Sequence, residues 1–168
     1  MIFDFKLLLF TLLSSFLVFG GEGKELNLEK RSTKIWLEDV YDGTTCGKPG
    51  KAMTGFAINY GTEGDINRYR VHIKGGGWLP VALFLDLDDF KYGYGGTKRG
   101  DPIDGIAIYG VKPALVKYRV HLKGYGWLPW VNGYDINEPK NGYAGILGYT
   151  IDLIQVKGRR LYTCAYNE

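Results

Sequence analysis

The chain has 168 residues and a formal net charge of +3 at pH 7, with 4 Trp, 13 Tyr, 8 Phe, 25 Gly and 2 Cys. That length suits one domain around one core. So small a basic excess argues against a protein that tracks a phosphate backbone, so no nucleic-acid partner is expected, and abundant Tyr, Val, Ile, Trp and Gly favour strands over helices.

Residues 1–21 hold Lys6, run uncharged from Leu7 to Phe19 and end on Gly20-Gly21, which is the pattern of a signal peptide. The uncharged run is too short to span a bilayer and no later segment is long enough, so membrane insertion is not expected. The pattern implies secretion into an oxidising, extracellular setting, where a disulfide persists. Residues 22–31 are polar and close on Lys30-Arg31. They read either as a pro-segment cut at a dibasic site or as a charged tail at the domain edge. No Asn-x-Ser/Thr acceptor occurs in the chain, so N-glycosylation is not expected.

From residue 32 to 168 the chain reads as one β domain with internal repeats over 34–61, 68–110 and 117–158. The second and third announce themselves: Tyr69-Arg-Val-His-Ile-Lys-Gly-Gly-Gly-Trp-Leu-Pro80 returns as Tyr118-Arg-Val-His-Leu-Lys-Gly-Tyr-Gly-Trp-Leu-Pro129 with two differences. Downstream, Gly100-Asp-Pro-Ile-Asp-Gly-Ile-Ala-Ile108 answers Gly145-Ile-Leu-Gly148-Tyr-Thr-Ile-Asp-Leu-Ile-Gln-Val156. A weaker first copy holds Ile35-Trp-Leu and then Gly47-Lys-Pro-Gly50-Lys-Ala-Met-Thr-Gly-Phe-Ala-Ile58. It lacks the Tyr-Arg-Val-His strand. Arg160-Leu-Tyr-Thr-Cys-Ala-Tyr166 stands where a fourth copy would begin and alternates like a strand.

Alternation in Tyr69 to Lys74 puts Tyr69, Val71 and Ile73 on a buried face and Arg70, His72 and Lys74 on a wet one, and Tyr118 to Lys123 repeats it. The glycine turns Gly75-Gly-Gly77 and Gly124-Tyr-Gly126 fold Trp-Leu-Pro back as a hairpin partner. The expected fold is all-β, three-fold pseudosymmetric and closed, β-trefoil-like with a β-prism as the alternative, its C-terminal strand 160–166 completing the first repeat. Such closure predicts a Cys46–Cys164 disulfide, two unrelated thiols being the alternative. In the chain-entropy model a loop this long contributes roughly 4 to 5 kcal/mol.

The pattern Tyr-Arg-Val-His, Gly-x-Gly-Trp-Leu-Pro-Trp-Val-x-Gly, Asn-Gly-Tyr-Ala-Gly and Gly-x-x-Ile-Asp-x-Ile-x-Val resembles the clostridial hydrophobic-W repeats, including those appended to secreted cell-wall hydrolases and phage endolysins. Residues 118–157 carry the likeness best, 69–110 well at both ends and 35–60 weakly. The resemblance implies a non-catalytic attachment module whose partner is a carbohydrate or cell-wall polymer. No catalytic domain accompanies the repeats here, which leaves a surface protein as a competing partner.

A sugar site needs an exposed aromatic face beside carboxylates or amides. The long loop of the third repeat supplies Trp130, Tyr134, Asp135, Asn137, Glu138, Asn141 and Tyr143. The second repeat offers Phe84, Asp86, Asp88, Tyr92 and Tyr94, with Val81 and Leu85 where the third has Trp130 and Tyr134. These aromatics compete with a role as barrel caps. Trp36, Trp78 and Trp127 recur in every copy and read as packing wedges. Asp104, Asp152 and Thr54 share one position before the Ile strand, which suits a hydrogen-bonded turn or strand end.

His72 and His121 are flanked by Arg and Lys on the same face, which disfavours a bound cation, so no metal site is assigned. No cofactor is expected. The basic strips Arg70-His72-Lys74 and Arg119-His121-Lys123 read as solvated strand faces, or as a surface for an anionic polymer such as a teichoic acid or acidic glycan. No nucleophile, zinc or phosphate-loop motif appears, and Asp86, Asp88 and Asp89 lack the remaining ligands of a calcium loop. The expected function is a secreted, non-catalytic, lectin-like carbohydrate or cell-wall binder. A protein-interaction or inhibitor-like module is the alternative, and a glycan hydrolase comes third.

Overall fold

A computed structural model describes residues 34–59, 68–110, 115–158 and 161–168. The signal peptide, the polar segment 22–31 and the Lys30-Arg31 site lie outside the described residues. The architecture is all-β, with antiparallel sheets and no α-helix among the described residues. Twelve strands follow in order: β1 (Lys34–Trp36), β2 (Val40–Tyr41), β3 (Thr45–Gly47), β4 (Met53–Ile58), β5 (Arg68–Ile73), β6 (Gly95–Gly96), β7 (Ile103–Tyr109), β8 (Lys117–Leu122), β9 (Gly126–Trp127), β10 (Ala144–Gly145), β11 (Ile151–Lys157) and β12 (Leu161–Asn167).

Three long pairs dominate: β5 with β7, β8 with β11, and β12 with β4. Alternation decides their inner faces. Tyr69 and Val71 on β5, Tyr118, Val120 and Leu122 on β8, and Tyr162 and Cys164 on β12 are fully buried. They meet Phe56 and Ile58 on β4, Ile106 and Ile108 on β7, and Ile154 and Val156 on β11 in one core. The buried tyrosines keep their hydroxyls satisfied, as an apolar interior demands. Tyr69 donates to the carbonyls of Phe84 (2.7 Å) and Gly93 (3.1 Å), and Tyr118 to those of Gly133 (2.8 Å) and Gly142 (3.4 Å). Tyr162 donates to Thr44 O and accepts from Val156 N.

Each long pair carries a bulge at the same place, skipping Asp104 in β7, Asp152 in β11 and Thr54 in β4. The extra residue turns inward, and bulges re-aim side chains in this way. Short strands then cross between neighbouring pairs. β6 precedes β7 yet pairs with β4, β10 precedes β11 yet pairs with β7, and β3 precedes β4 yet pairs with β11. The crossings are tight: at Gly145, φ is +136° and a Cβ would sit 2.2 Å from Asp104 O. Only glycine fits there. Among the described residues no single sheet closes on itself.

β12 pairs with β1, β2 and β4, so the C-terminal strand joins the strands of the first copy. Cys46 on β3 and Cys164 on β12 form a disulfide, 6.1 Å between Cα atoms and 118 residues apart in sequence. Its place in the fold is instructive. Cys164 takes the register of Val71, and Cys46 that of Gly95, whose own Cβ would sit 2.7 Å from Val71 Cγ1. The covalent bridge thus takes the place of a contact that is glycine against valine at Gly95 and Val71, Ala144 holding the same register in the third copy. Replacing both cysteines by Ser should lower the unfolding free energy by roughly 4 kcal/mol in the chain-entropy model. Urea denaturation of C46S/C164S against the oxidised parent checks it, and an unchanged midpoint would show that the bridge adds nothing to the folded ensemble.

Candidate functional site

The two histidines belong to the bulges. His72 Nδ1 donates to Asp104 Oδ1 and His121 Nδ1 to Asp152 Oδ1, both at 2.6 Å. The second oxygens accept backbone N–H groups from the crossing loops, Gly148 onto Asp104 and Gly50 onto Asp152, each at 2.7 Å. The third bulge uses neutral groups, Thr54 Oγ1 bonding Asn167 Oδ1 at 3.2 Å while Asn167 Nδ2 donates to Gly100 O at 2.7 Å. A buried carboxylate holding two partners is a cross-link. Among the described residues no three His, Cys, Asp or Glu side chains gather where they could hold a metal ion.

Most of the carboxylates and amides singled out in the sequence fold their own loops. Asp86 Oδ1 accepts from Asp88 N and Asp89 N, and Asp135 Oδ1 accepts from Asn137 N. Glu138 caps Lys140 N and Asn141 N, and Asn141 Oδ1 accepts from Asn132 N. Asp88 and Asn137 are exposed. Phe84 is half-buried and lends its carbonyl to Tyr69. Tyr92 is exposed, with Lys91 Nζ 4.8 Å above its ring. Tyr134 lies edge-on to Tyr109, and burial pushes its hydroxyl pKa up.

Tyr94 and Tyr143 pack as lids. Tyr94 meets Trp36 edge-to-face at 5.3 Å, and Tyr143, only 6% exposed, meets Trp78 at 5.2 Å. Each indole also lies over a glycine: a Cβ at Gly55 would come 2.8 Å from Trp36 Cη2, and one at Gly105 would come 3.3 Å from Trp78 Cη2. So two of the three recurring tryptophans are floored by glycine and covered by tyrosine.

Trp127 has neither. Strand register puts Thr45 where the other sheets have Tyr94 and Tyr143, and Leu153 where they have Gly55 and Gly105. Trp127 is 36% exposed, against the packing role that its recurrence suggested. Trp130 stands beside it, and Arg119 lies between them with Cζ 4.6 Å from each ring. Arg119 is held by Nε donating to Gln155 Oε1 (2.9 Å), and Gln155 Nε2 donates on to Thr45 Oγ1 (2.8 Å). Lys117 and Lys157 bring their Nζ atoms to 5.6 and 5.1 Å from the Trp130 ring. Cation–π contacts of this kind contribute about 0.5–1 kcal/mol each at exposed sites.

Of the aromatic and polar sugar-site candidates chosen from sequence, Trp130 alone belongs to this face. Arg119 was read as part of a basic strip, a solvated face or a surface for an anionic polymer, and Trp127 as a packing wedge, while Lys117, Lys157, Gln155 and Thr45 were not singled out. A signal was present: aligning the copies by strand register shows Thr where two copies have Tyr. Comparison with protein-family models, curated proteins and solved structures finds no match.

The Tyr94 side of the molecule has its own charge signature. Lys34 lies half-buried with Nζ donating to Thr97 O at 2.6 Å and standing 4.7 Å from the Tyr94 ring. Burial pulls its pKa from 10.5 down to about 8, outweighing the attraction of Asp101. The unfolded chain then binds more protons between those values, so this group adds stability as pH rises from about 8 to 10.5. Unfolding free energies of the parent should climb relative to Lys34→Met across that window. Parallel profiles would mean that the ammonium is not desolvated.

Proposed function

We propose that this chain is a secreted, non-catalytic glycan- or cell-wall-binding module of three-fold, trefoil-like build, a β-prism being the alternative geometry. The observation that carries the binding reading is the Trp127–Arg119–Trp130 group, in which Trp127 is exposed and Arg119 and Trp130 are half-buried. Indole faces take the C–H face of a pyranose ring, and guanidinium N–H groups supply hydrogen bonds to its oxygens. A platform pre-set by the Arg119–Gln155–Thr45 chain binds without first paying to order its side chains. Export is supported by the disulfide. The repeated register of the three long pairs, with a bulge at the same step in each, supports the three-fold reading. The non-catalytic reading draws support from the His–Asp pairs, whose carboxylates are spent on structure. So does the likeness to hydrophobic-W repeats.

A second reading has its own observation. Tyr125 is 67% exposed and Tyr149 52%, packed edge-on at 6.2 Å, with Ile146 and Leu147 exposed in the same loop as Tyr149. Exposed apolar groups that cluster mark protein contacts, so a surface-protein partner would dock there.

Pull-down of the oxidised protein on insoluble peptidoglycan, chitin and cellulose separates the two. Retention that free saccharide competes away, and that Trp127→Ala and Trp130→Ala each weaken by about tenfold, is expected for loss of one stacked ring. Tyr125→Ala should leave it unchanged. Retention by none of the polymers would remove the support for a cell-wall binder and favour the protein partner.

A further inference from the structure

We infer that the glycan is an acidic polysaccharide, carboxylated or sulfated, whose anionic groups meet Lys117, Arg119 and Lys157 while its rings lie on Trp127 and Trp130. This rests on the glycan reading above and narrows it to a ligand class. Three cations converge on one indole: Lys117, Arg119 and Lys157 stand 5.6, 4.6 and 5.1 Å from the Trp130 ring centroid. Like charges held together repel. The ring quadrupole offsets only part of that repulsion.

Among the described residues no ion pair includes Lys117, Arg119 or Lys157. The one pair that borders this face, His121–Asp152, sets its imidazole edge-on to Trp127 at 5.4 Å and commits its carboxylate to His121 and Gly50 N. Arg119 spends Nε on Gln155, and among the described residues no protein oxygen takes up its terminal nitrogens. A guanidinium 4.6 Å from two ring centroids, its Nε held by Gln155 and its outer N–H pair unspent, matches the bidentate geometry of a carboxylate or sulfate.

The comparable face of the second sheet is not built this way. Arg70 turns its Nε onto Leu79 O at 2.8 Å, Val81 replaces Trp130, and Tyr109 takes the register of Lys157. There Arg68 lies over Tyr109 at 5.5 Å, and Tyr109 in turn packs on Tyr134. The basic, double-indole platform is therefore one face of the molecule and not a repeated surface. A neutral glycan would use the rings and leave the cations idle. An acidic polysaccharide uses both.

Affinity electrophoresis through gels holding dextran sulfate, polygalacturonate or neutral dextran tests the assignment with the oxidised protein. Retardation is expected in an acidic gel and not in dextran, the sulfate and carboxylate arms showing which anion is preferred. Added salt should weaken it, since Lys117 and Lys157 are exposed. Lys117→Ala with Lys157→Ala should weaken binding about tenfold, and the charge-matched pair Lys51→Ala with Lys140→Ala less than about twofold. Thr45→Tyr restores over Trp127 the lid that Tyr94 and Tyr143 provide elsewhere, and should abolish retardation while the near-ultraviolet circular dichroism of the fold persists. Equal losses in the two lysine pairs would overturn the proposal in favour of general charge attraction. Equal retardation in dextran, lost in Trp127→Ala, would overturn the acidic assignment and leave the glycan reading standing. No retardation in any gel, together with no retention on any insoluble polymer, would overturn both.

Discussion

β12 lies between β1 and β4, so the last strand of the chain takes its partners from the first described segment. Until it docks, β4 has only the two-residue β6 on one side, and its unpaired N–H and C=O groups invite other chains. Contacts this distant in sequence form slowly because loop-closure entropy comes before any reward. The Cys46–Cys164 bridge addresses that cost where it arises, joining β12 to the strand that crosses onto β11. One covalent bond therefore links the closing strand to a second sheet, and the core tyrosine Tyr162 is held from both sides of that junction by Thr44 and Val156.

The bulges perform the same task without covalent chemistry. Asp104 and Asp152 each hold a histidine of their own sheet and a loop N–H of the next. Burying a carboxylate is costly unless its lone pairs are occupied. Both oxygens are occupied in each case, so the charge is used as mortar between sheets. The third junction substitutes Thr54 and Asn167, which bear no charge.

Much of this was legible from residues alone. The duplicated Tyr-Arg-Val-His strands fixed the alternation of β5 and β8, and the orphaned first copy pointed to β12 as its partner and to Cys46 with Cys164. What escaped was of one physical kind. Whether Trp127 packs or protrudes depends on what lies under and over its ring, and those residues, Leu153 and Thr45, come from strands 26 and 82 residues away in sequence (153 − 127 and 127 − 45). Recurrence argued for packing at all three tryptophans, and the argument held only where glycine and tyrosine recurred with them. The acidic and amide residues of the loops were legible as polar but not as occupied: Asp86, Asp135 and Glu138 bind backbone N–H groups within three residues of themselves.

Three long strand pairs with a bulge at the same step in each set a constraint on which surfaces can differ. Residues that pack the core must do so in every sheet, and they match: Phe56 with Ile106 and Ile154, Tyr69 with Tyr118 and Tyr162. A face is free to diverge only where its side chains point away from that shared interior. Thr45, Leu153, Gln155, Lys157 and Trp130 all depart from their counterparts on the outer side of one sheet. Several are joined into a continuous path by hydrogen bonds and cation–π contacts through Arg119. Independent drift would scatter such departures over three faces. Here they concentrate around two indoles of one sheet, Trp127 exposed and Trp130 half-buried.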